Sequence, residues 1–115
     1  VVVLAGGSRA GKLQKPSPIA LDLDSLPSMD GKNVLVTGSA RGIGFNSARM
    51  LAALGATVYL ADIDTAALQS AAEAIRSEIQ GSDVRPTVKL DLGRTSAVHA
   101  FADAWLAGKA EEATL

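Results

Sequence analysis

The stretch VTGSARGIG at residues 36–44 constrains the fold of this chain more than any other. It places three glycines within seven positions, directly after the apolar run NVLVT, which is rich in β-branched residues and typical of a buried strand. A helix is predicted next, because apolar residues then recur at helical spacing until Gly55. These residues are Ile43, Ala48, Leu51 and Leu54. The pattern predicts a strand at 33–38, a glycine-rich turn and a helix.

The same alternation of strand and helix occurs twice more. TVYLAD at 57–62 and VRPTVKLD at 84–91 are predicted strands, with Pro86 near the start of the second. Asp64 or Thr65 is expected to cap the helix after the first, and Thr95 or Ser96 the helix after the second. The apolar faces are Leu68, Ala71, Ala72, Ile75 and Ile79, and then Val98, Phe101, Ala102 and Trp105. The order β-α-β-α-β-α predicts an α/β fold with a parallel sheet, its strands ordered 3-2-1 by right-handed crossovers.

Residues 1–30 have a different composition. Glycines and prolines interrupt them, and Pro16 and Pro18 exclude a regular helix, so we predict an extended or disordered tail before a folded part at 31–115. GGSRAGKL at 6–13 resembles part of a phosphate-binding loop. Leu13, however, stands where Ser or Thr would hold magnesium, so no nucleoside triphosphate site is expected there.

Composition excludes several other classes of function. The chain has 115 residues, a net charge of −1 and no cysteine, which gives neither a basic surface for nucleic acid nor a thiolate site. No apolar run approaches the roughly 18 residues of a membrane span. A single histidine, His99, makes no metal site and is expected at the surface. No targeting signal is identified, so the cytoplasm is the expected compartment, and a first residue other than Met indicates a fragment or a processed chain.

The three glycines fit the binding of a pyrophosphate at the start of the first helix. Gly38 permits a tight turn, Gly42 lets an anion approach the helix N-terminus, and Gly44 permits close packing of helix on strand. Asp62 ends the second strand, 18 residues beyond Gly44. A carboxylate at that place accepts hydrogen bonds from an adenosine ribose. A dinucleotide is therefore the expected ligand.

At this point the chain resembles the short-chain dehydrogenases/reductases over about residues 30–108. TGSARGIG has that family's Thr-Gly-x-x-x-Gly-Ile-Gly form, and YLADID and VKLDL are similar to its second and third strand ends. LDL…TSAVHAFADAW is most similar to the retinol-dehydrogenase-like branch. The resemblance implies part of a three-layer Rossmann-type domain with helices on both faces. It also implies hydride transfer between NAD(P) and an alcohol or carbonyl substrate in the complete protein.

The resemblance also assigns cofactor-binding residues. Those at the pyrophosphate are Gly38, Ser39, Arg41, Gly42, Ile43 and Gly44; Asp62 and Ile63 hold the ribose, and Asp91 and Leu92 the adenine. Alternatives remain for two of them, Asp91 as a loop cap and Arg41 as a solvated side chain, while Ile43 is expected in the core in either case. Arg41 suits the 2′-phosphate of NADP, whereas Asp62 repels that phosphate and suits NAD. NAD is the expected cofactor, with NADP as the alternative.

The catalytic half of the family pattern is absent from these residues. The family uses a Tyr-x-x-x-Lys pair, but the single tyrosine, Tyr59, is followed four places later by Ile63. We therefore expect no catalytic residue and no activity in this chain alone. The alternative is a non-catalytic dinucleotide-binding or interaction module that ends naturally at Leu115. An open edge along strand 33–38 predicts self-association, unless VVVLA folds back to cover it.

Overall fold

The computed structural model describes residues 3–6 and 26–108, and a sheet of four strands runs through this part of the chain. The strands are β1 (Val3–Gly6), β2 (Asn33–Thr37), β3 (Thr57–Ala61) and β4 (Asp83–Pro86), and the helices are α1 (Gly42–Ala53), α2 (Thr65–Glu78) and α3 (Thr95–Leu106). The spatial order of the strands is β1-β2-β3-β4. No helix in the described ranges is long and apolar enough to cross a membrane.

The three strands predicted from the sequence pair in parallel, as expected. Val34 lies opposite Val58, and Val58 lies opposite Val84, which gives the predicted 3-2-1 order. The third strand was predicted to run to residue 91, which is wrong, because β4 ends at Pro86. Pro86 pairs with Leu60, and β3 itself ends one residue later, so the chain after Thr87 has no strand beside it to continue the ladder.

Helices cover both faces of the sheet, which confirms the predicted three layers. Successive strand residues point to opposite faces. One face packs on α1 and α2 through a buried cluster, and the other packs on the residues around α3. The first cluster includes Val34, Val36, Val58, Leu60, Leu68 and Ile75, and the second contains Leu35, Tyr59, Ala61, Leu90 and Phe101. Each fully buried aliphatic side chain contributes roughly 1.5–3 kcal/mol of hydrophobic stabilisation.

Helix boundaries agree with the sequence in one case and differ in another. Asp64 is the N-cap of α2, and its Oδ1 accepts a hydrogen bond from the Ala67 N–H at 3.0 Å. The prediction that Thr95 or Ser96 caps α3 is wrong, because both lie inside that helix and its N-cap is Arg94. Ala102 was also placed on the buried face of α3, but it is exposed, and Ala104 packs there instead.

β1 lies antiparallel to β2 on the side opposite β3. The register runs from Val3 opposite Val36 to Gly6 opposite Asn33. The described part of VVVLA, from Val3 to Ala5, therefore pairs along the edge of β2 as the alternative to an open edge required; Val1 and Val2 lie outside the described residues. The division of the chain near residue 30 stays a prediction, because Pro16, Pro18 and all of GGSRAGKL after Gly6 lie outside the described residues.

Candidate functional site

The glycine-rich turn joins β2 to α1 and needs glycine for two separate reasons. Gly38 and Gly42 have φ angles of 62° and 63°, in the left-handed region that other residues rarely adopt. Gly44 has an ordinary φ but no free space. A Cβ atom there would lie 2.7 Å from the carbonyl carbon of Gly38 and still closer to its oxygen. The first turn of α1 thus packs directly on the backbone of the loop.

The N-terminus of α1 presents backbone donors and no acidic residue. Its N-cap, Arg41, makes no side-chain capping bond, and its first turn contains no Asp or Glu. The first N–H groups of a helix have no intrahelical partner and carry the positive end of the helix dipole. Arg41, Gly42 and Ile43 are all exposed around this end. An anionic group such as a pyrophosphate would therefore be stabilised here.

Asp62 connects the end of β3 to this loop. One carboxylate oxygen, Oδ2, accepts a hydrogen bond from the Ala40 N–H at 3.1 Å, and Oδ1 accepts one from the Asp64 N–H at 3.2 Å. The side chain is only half-buried, and each carboxylate oxygen has a further acceptor position beyond these two bonds. The structure thus places the predicted ribose-binding carboxylate against the predicted pyrophosphate loop.

Ser39 has a different environment from the other loop residues. It is fully buried, and both its N–H and its Oγ lie within hydrogen-bonding distance of the Ala61 carbonyl, at 3.3 and 3.4 Å. Its side chain therefore ties the loop to the end of β3. The exposed surface of the predicted pyrophosphate loop is formed by Arg41, Gly42 and Ile43.

A cavity of about 220 Å³ opens beside the loop at the carboxyl ends of the strands. It brings together five of the predicted site residues, and its lining is Thr37, Gly38, Ala61, Asp62, Ile63, Leu90, Asp91, Leu92 and Gly93. The Leu90 N–H donates to the Asp62 carbonyl at 3.1 Å and ties the segment after β4 to the end of β3. This is the edge of a parallel sheet at which α/β proteins bind ligands.

Asp91 lines this cavity and also stabilises its own turn. Its Oδ1 accepts a hydrogen bond from the Gly93 N–H at 2.9 Å, and its carbonyl accepts one from the Arg94 N–H at 3.1 Å. Asp91 therefore does cap its own loop, which is the alternative that the sequence left open for it.

Apolar side chains surround the site. Ile63 and Leu92 are 53% and 58% exposed on the cavity wall, and Ile43 is 77% exposed on the first turn of α1. The expectation that Ile43 is a core residue is wrong. Gly44 and Ala48 occupy the buried side of α1 instead, which turns Ile43 away from the sheet.

Asp64, which the sequence predicts only as a helix cap, also lies at this site. Asp64 accepts a hydrogen bond from the Arg41 guanidinium, with Nη2 and Oδ2 3.0 Å apart. The pKa of Asp64 is lowered, first by the Ala67 N–H and then by Arg41. The signal in the sequence was a second aspartate two places after Asp62, combined with a cation in the glycine turn.

Two residues with catalytic potential lie away from the site. Tyr59 is buried in β3, where its ring meets Trp105 edge-on with centroids 4.6 Å apart and its hydroxyl accepts a hydrogen bond from Arg85 at 3.2 Å. His99 is exposed on α3, which confirms the surface position expected for it. Among the residues that the structure describes, no three His, Asp or Glu side chains are grouped to hold a metal ion.

The parallel sheet, the glycine turn and the carboxylate at the neighbouring strand end together define a Rossmann-type α/β domain. The family model for short chain dehydrogenases matches residues 32–108. The chain therefore belongs to the short-chain dehydrogenase/reductase family, in agreement with the resemblance of its motifs.

Individual relatives point the same way. The chain is 44% identical over 79 residues to retinol dehydrogenase 12 from Homo sapiens, which covers 69% of this chain and 25% of that protein. It is 40% identical over 77 residues to polyprenol dehydrogenase from Mus musculus, covering 67% and 23%. The chain thus spans about a quarter of the length of the curated relatives that it matches.

Solved structures of the family share the fold. A metagenomic short-chain oxidoreductase in complex with NADP matches with a TM-score of 0.61 and 33% identity, covering 73% of this chain and 36% of that one. A family member from Burkholderia phymatum in complex with NAD matches with a TM-score of 0.54 and 34% identity, covering 64% and 25%. The relatives thus include complexes with either dinucleotide.

Proposed function

We propose that this chain forms the cofactor-binding portion of an NAD-dependent oxidoreductase that acts on an alcohol or carbonyl substrate in the complete protein. The observation that carries the proposal is the contact between Asp62 and the glycine turn, at 3.1 Å from the Ala40 N–H. This contact brings a ribose acceptor and a helix N-terminus to one edge of the sheet. The bound dinucleotide would supply the hydride acceptor or donor.

Different residues would bind different parts of the dinucleotide. Gly42 and the uncapped start of α1 would hold the pyrophosphate, and Gly44 keeps this helix close to the loop. Asp62 and Ile63 would hold the adenosine ribose, with Asp62 accepting its hydrogen bonds, while Asp91 and Leu92 would contact the adenine. The negative charge of Asp62 favours a free 2′-hydroxyl over a 2′-phosphate, and hence NAD over NADP.

Calorimetric titration of the 115-residue chain with ADP-ribose, NAD and adenosine tests this proposal. ADP-ribose contains every group that the described site would contact, so we expect NAD to bind no more than about threefold more tightly than ADP-ribose. Adenosine should bind at least about tenfold more weakly, because it lacks the pyrophosphate. No alcohol oxidation is expected from this chain alone, since the sequence contains no Tyr-x-x-x-Lys pair.

A matched pair of variants locates the binding. Asp62→Ala should weaken ADP-ribose binding, whereas Glu73→Gln, which neutralises an exposed carboxylate on α2, should leave it unchanged. Equal affinities of ADP-ribose for the wild type and for Asp62→Ala would contradict the proposed site. An NAD affinity far above that of ADP-ribose would show that the nicotinamide half also has contacts here.

The position of β1 favours a second candidate, a self-contained dinucleotide-binding module without catalytic residues. β1 occupies the side of β2 at which a further parallel strand continues the usual Rossmann sheet. The coding sequence downstream of Leu115 distinguishes the two candidates. A reading frame that continues into a Tyr-x-x-x-Lys helix supports the enzyme, and a stop codon supports the module.

A further inference from the structure

We propose that Asp64 determines cofactor specificity by holding the Arg41 guanidinium in an ion pair, so that the site selects an adenosine ribose without a 2′-phosphate. This inference rests on the proposed function, because it concerns the same dinucleotide site. It assigns to Asp64 a positioning role in addition to its capping of α2.

The geometry places three charged side chains at one corner of the site. Asp62 contacts the backbone on both sides, through the Ala40 N–H and the Asp64 N–H. Arg41 directly follows Ala40, and its Nη2 lies 3.0 Å from Oδ2 of Asp64. Arg41, the cation that could attract a 2′-phosphate, is therefore already paired with Asp64. Asp64 stands two residues after Asp62, the carboxylate that would meet the ribose.

The balance of charge then favours NAD. Two carboxylates and one guanidinium leave this corner with a net charge of −1, while a phosphate monoester carries about −1.5 to −2 at neutral pH. Asp64 remains ionised at that pH, since the Ala67 N–H and Arg41 both lower its pKa. Removing its charge brings the corner to zero and frees Arg41 to contact an added phosphate. Asp64 thus acts on the ligand through Arg41.

Asp64→Asn separates this role from capping. Asparagine is as good an N-cap as aspartate, so the variant keeps an acceptor for the Ala67 N–H while it loses the charge that holds Arg41. The capping contact at 3.0 Å would persist. A change in ligand preference with unchanged thermal stability therefore reports the ion pair.

The test compares two ligands that differ in one group. Adenosine 5′-monophosphate and adenosine 2′,5′-bisphosphate are titrated into the whole 115-residue chain, and the ratio of their dissociation constants is measured. Asp64→Asn should improve bisphosphate binding relative to the monophosphate by about threefold to tenfold. The gain should be largely lost when the same change is made in an Arg41→Gln background.

A second exposed ion pair provides the control. Arg49 and Glu78 are 2.7 Å apart on α1 and α2, and Glu78→Gln removes the same charge away from the site. The ligand ratio should not change in that variant. An equal shift in Glu78→Gln, or an equal gain with and without Arg41, would overturn the inference. If Asp64→Asn leaves the ratio unaltered, or if neither ligand binds the wild type, the inference fails; the proposed function fails as well only if ADP-ribose does not bind.

Discussion

Replacing Gly44 with alanine tests the closest contact in the candidate site. The added Cβ would lie 2.7 Å from the carbonyl carbon of Gly38 and 3.0 Å from the Cα of Ser39. Carbon atoms in contact are normally about 3.5–4.0 Å apart, so the loop and helix must separate by roughly 1 Å. Both groups are backbone, and neither can move aside by rotating a side chain.

The net effect follows from two opposing contributions. Overpacking of a tight contact typically costs about 1–3 kcal/mol, and a rigid backbone neighbour places this site near the upper value. Alanine is favoured over glycine inside a helix by about 1 kcal/mol, which offsets part of the cost. We therefore expect the free energy of unfolding to fall by about 2 kcal/mol. ADP-ribose binding should weaken as well, because the displaced loop carries Gly42 and the Asp62 contact.

Urea denaturation followed by tryptophan fluorescence measures this change, since Trp105 packs against Tyr59. Ala74→Gly, at an exposed position inside α2, measures the helix-propensity contribution in the same protein. The steric cost of the added Cβ is then the loss of unfolding free energy in Gly44→Ala plus the loss in Ala74→Gly. A Gly44→Ala variant as stable as the wild type, with undiminished ADP-ribose binding, would show that the loop does not rest on α1 in this way.

Three further predictions concern charge, the sheet edge and acid stability. Asp62→Ala should shift the affinity ratio towards adenosine 2′,5′-bisphosphate by about threefold to tenfold, and a titration in which the unmodified protein already prefers the 2′-phosphate would contradict the choice of NAD. Deleting residues 1–6 should expose the side of β2, and the variant should self-associate, so that its sedimentation coefficient increases as its concentration is raised. A sedimentation coefficient that stays the same at all concentrations would show that β1 does not protect this edge. The pKa of Asp83 is lowered, chiefly by hydrogen bonds from Arg85, so its contribution to stability is present above pH 3.8 and is lost as pH falls further; Asp83→Asn should flatten the dependence of the unfolding midpoint on acid pH.

Periodicity predicted the sheet well because burial in a parallel sheet leaves a strong signal. Val34 and Val58 each lie in an apolar run, and each is buried in the structure. The length of β4 had no such signal. It depends on where β3 ends, a property of the neighbouring strand that the residues from 87 to 91 do not encode.

Side-chain contacts between distant residues were the least predictable part of the site. Spacing alone brought Asp62 to the glycine turn, because strand ends meet at one edge of a parallel sheet. The pairing of Arg41 with Asp64 spans 23 positions and depends on which rotamer a long side chain adopts. Exposure of Ile43 depends on the rotation of α1, which the packing of Gly44 on the loop fixes.

β1 links the edge of the sheet to the cofactor site. Its antiparallel direction places Val3 opposite Val36, at the carboxyl end of β2 where the glycine turn begins. The backbone groups on that side of β2 can pair with only one neighbouring strand at a time. A parallel strand that continued the sheet beyond β2 would therefore have to displace β1.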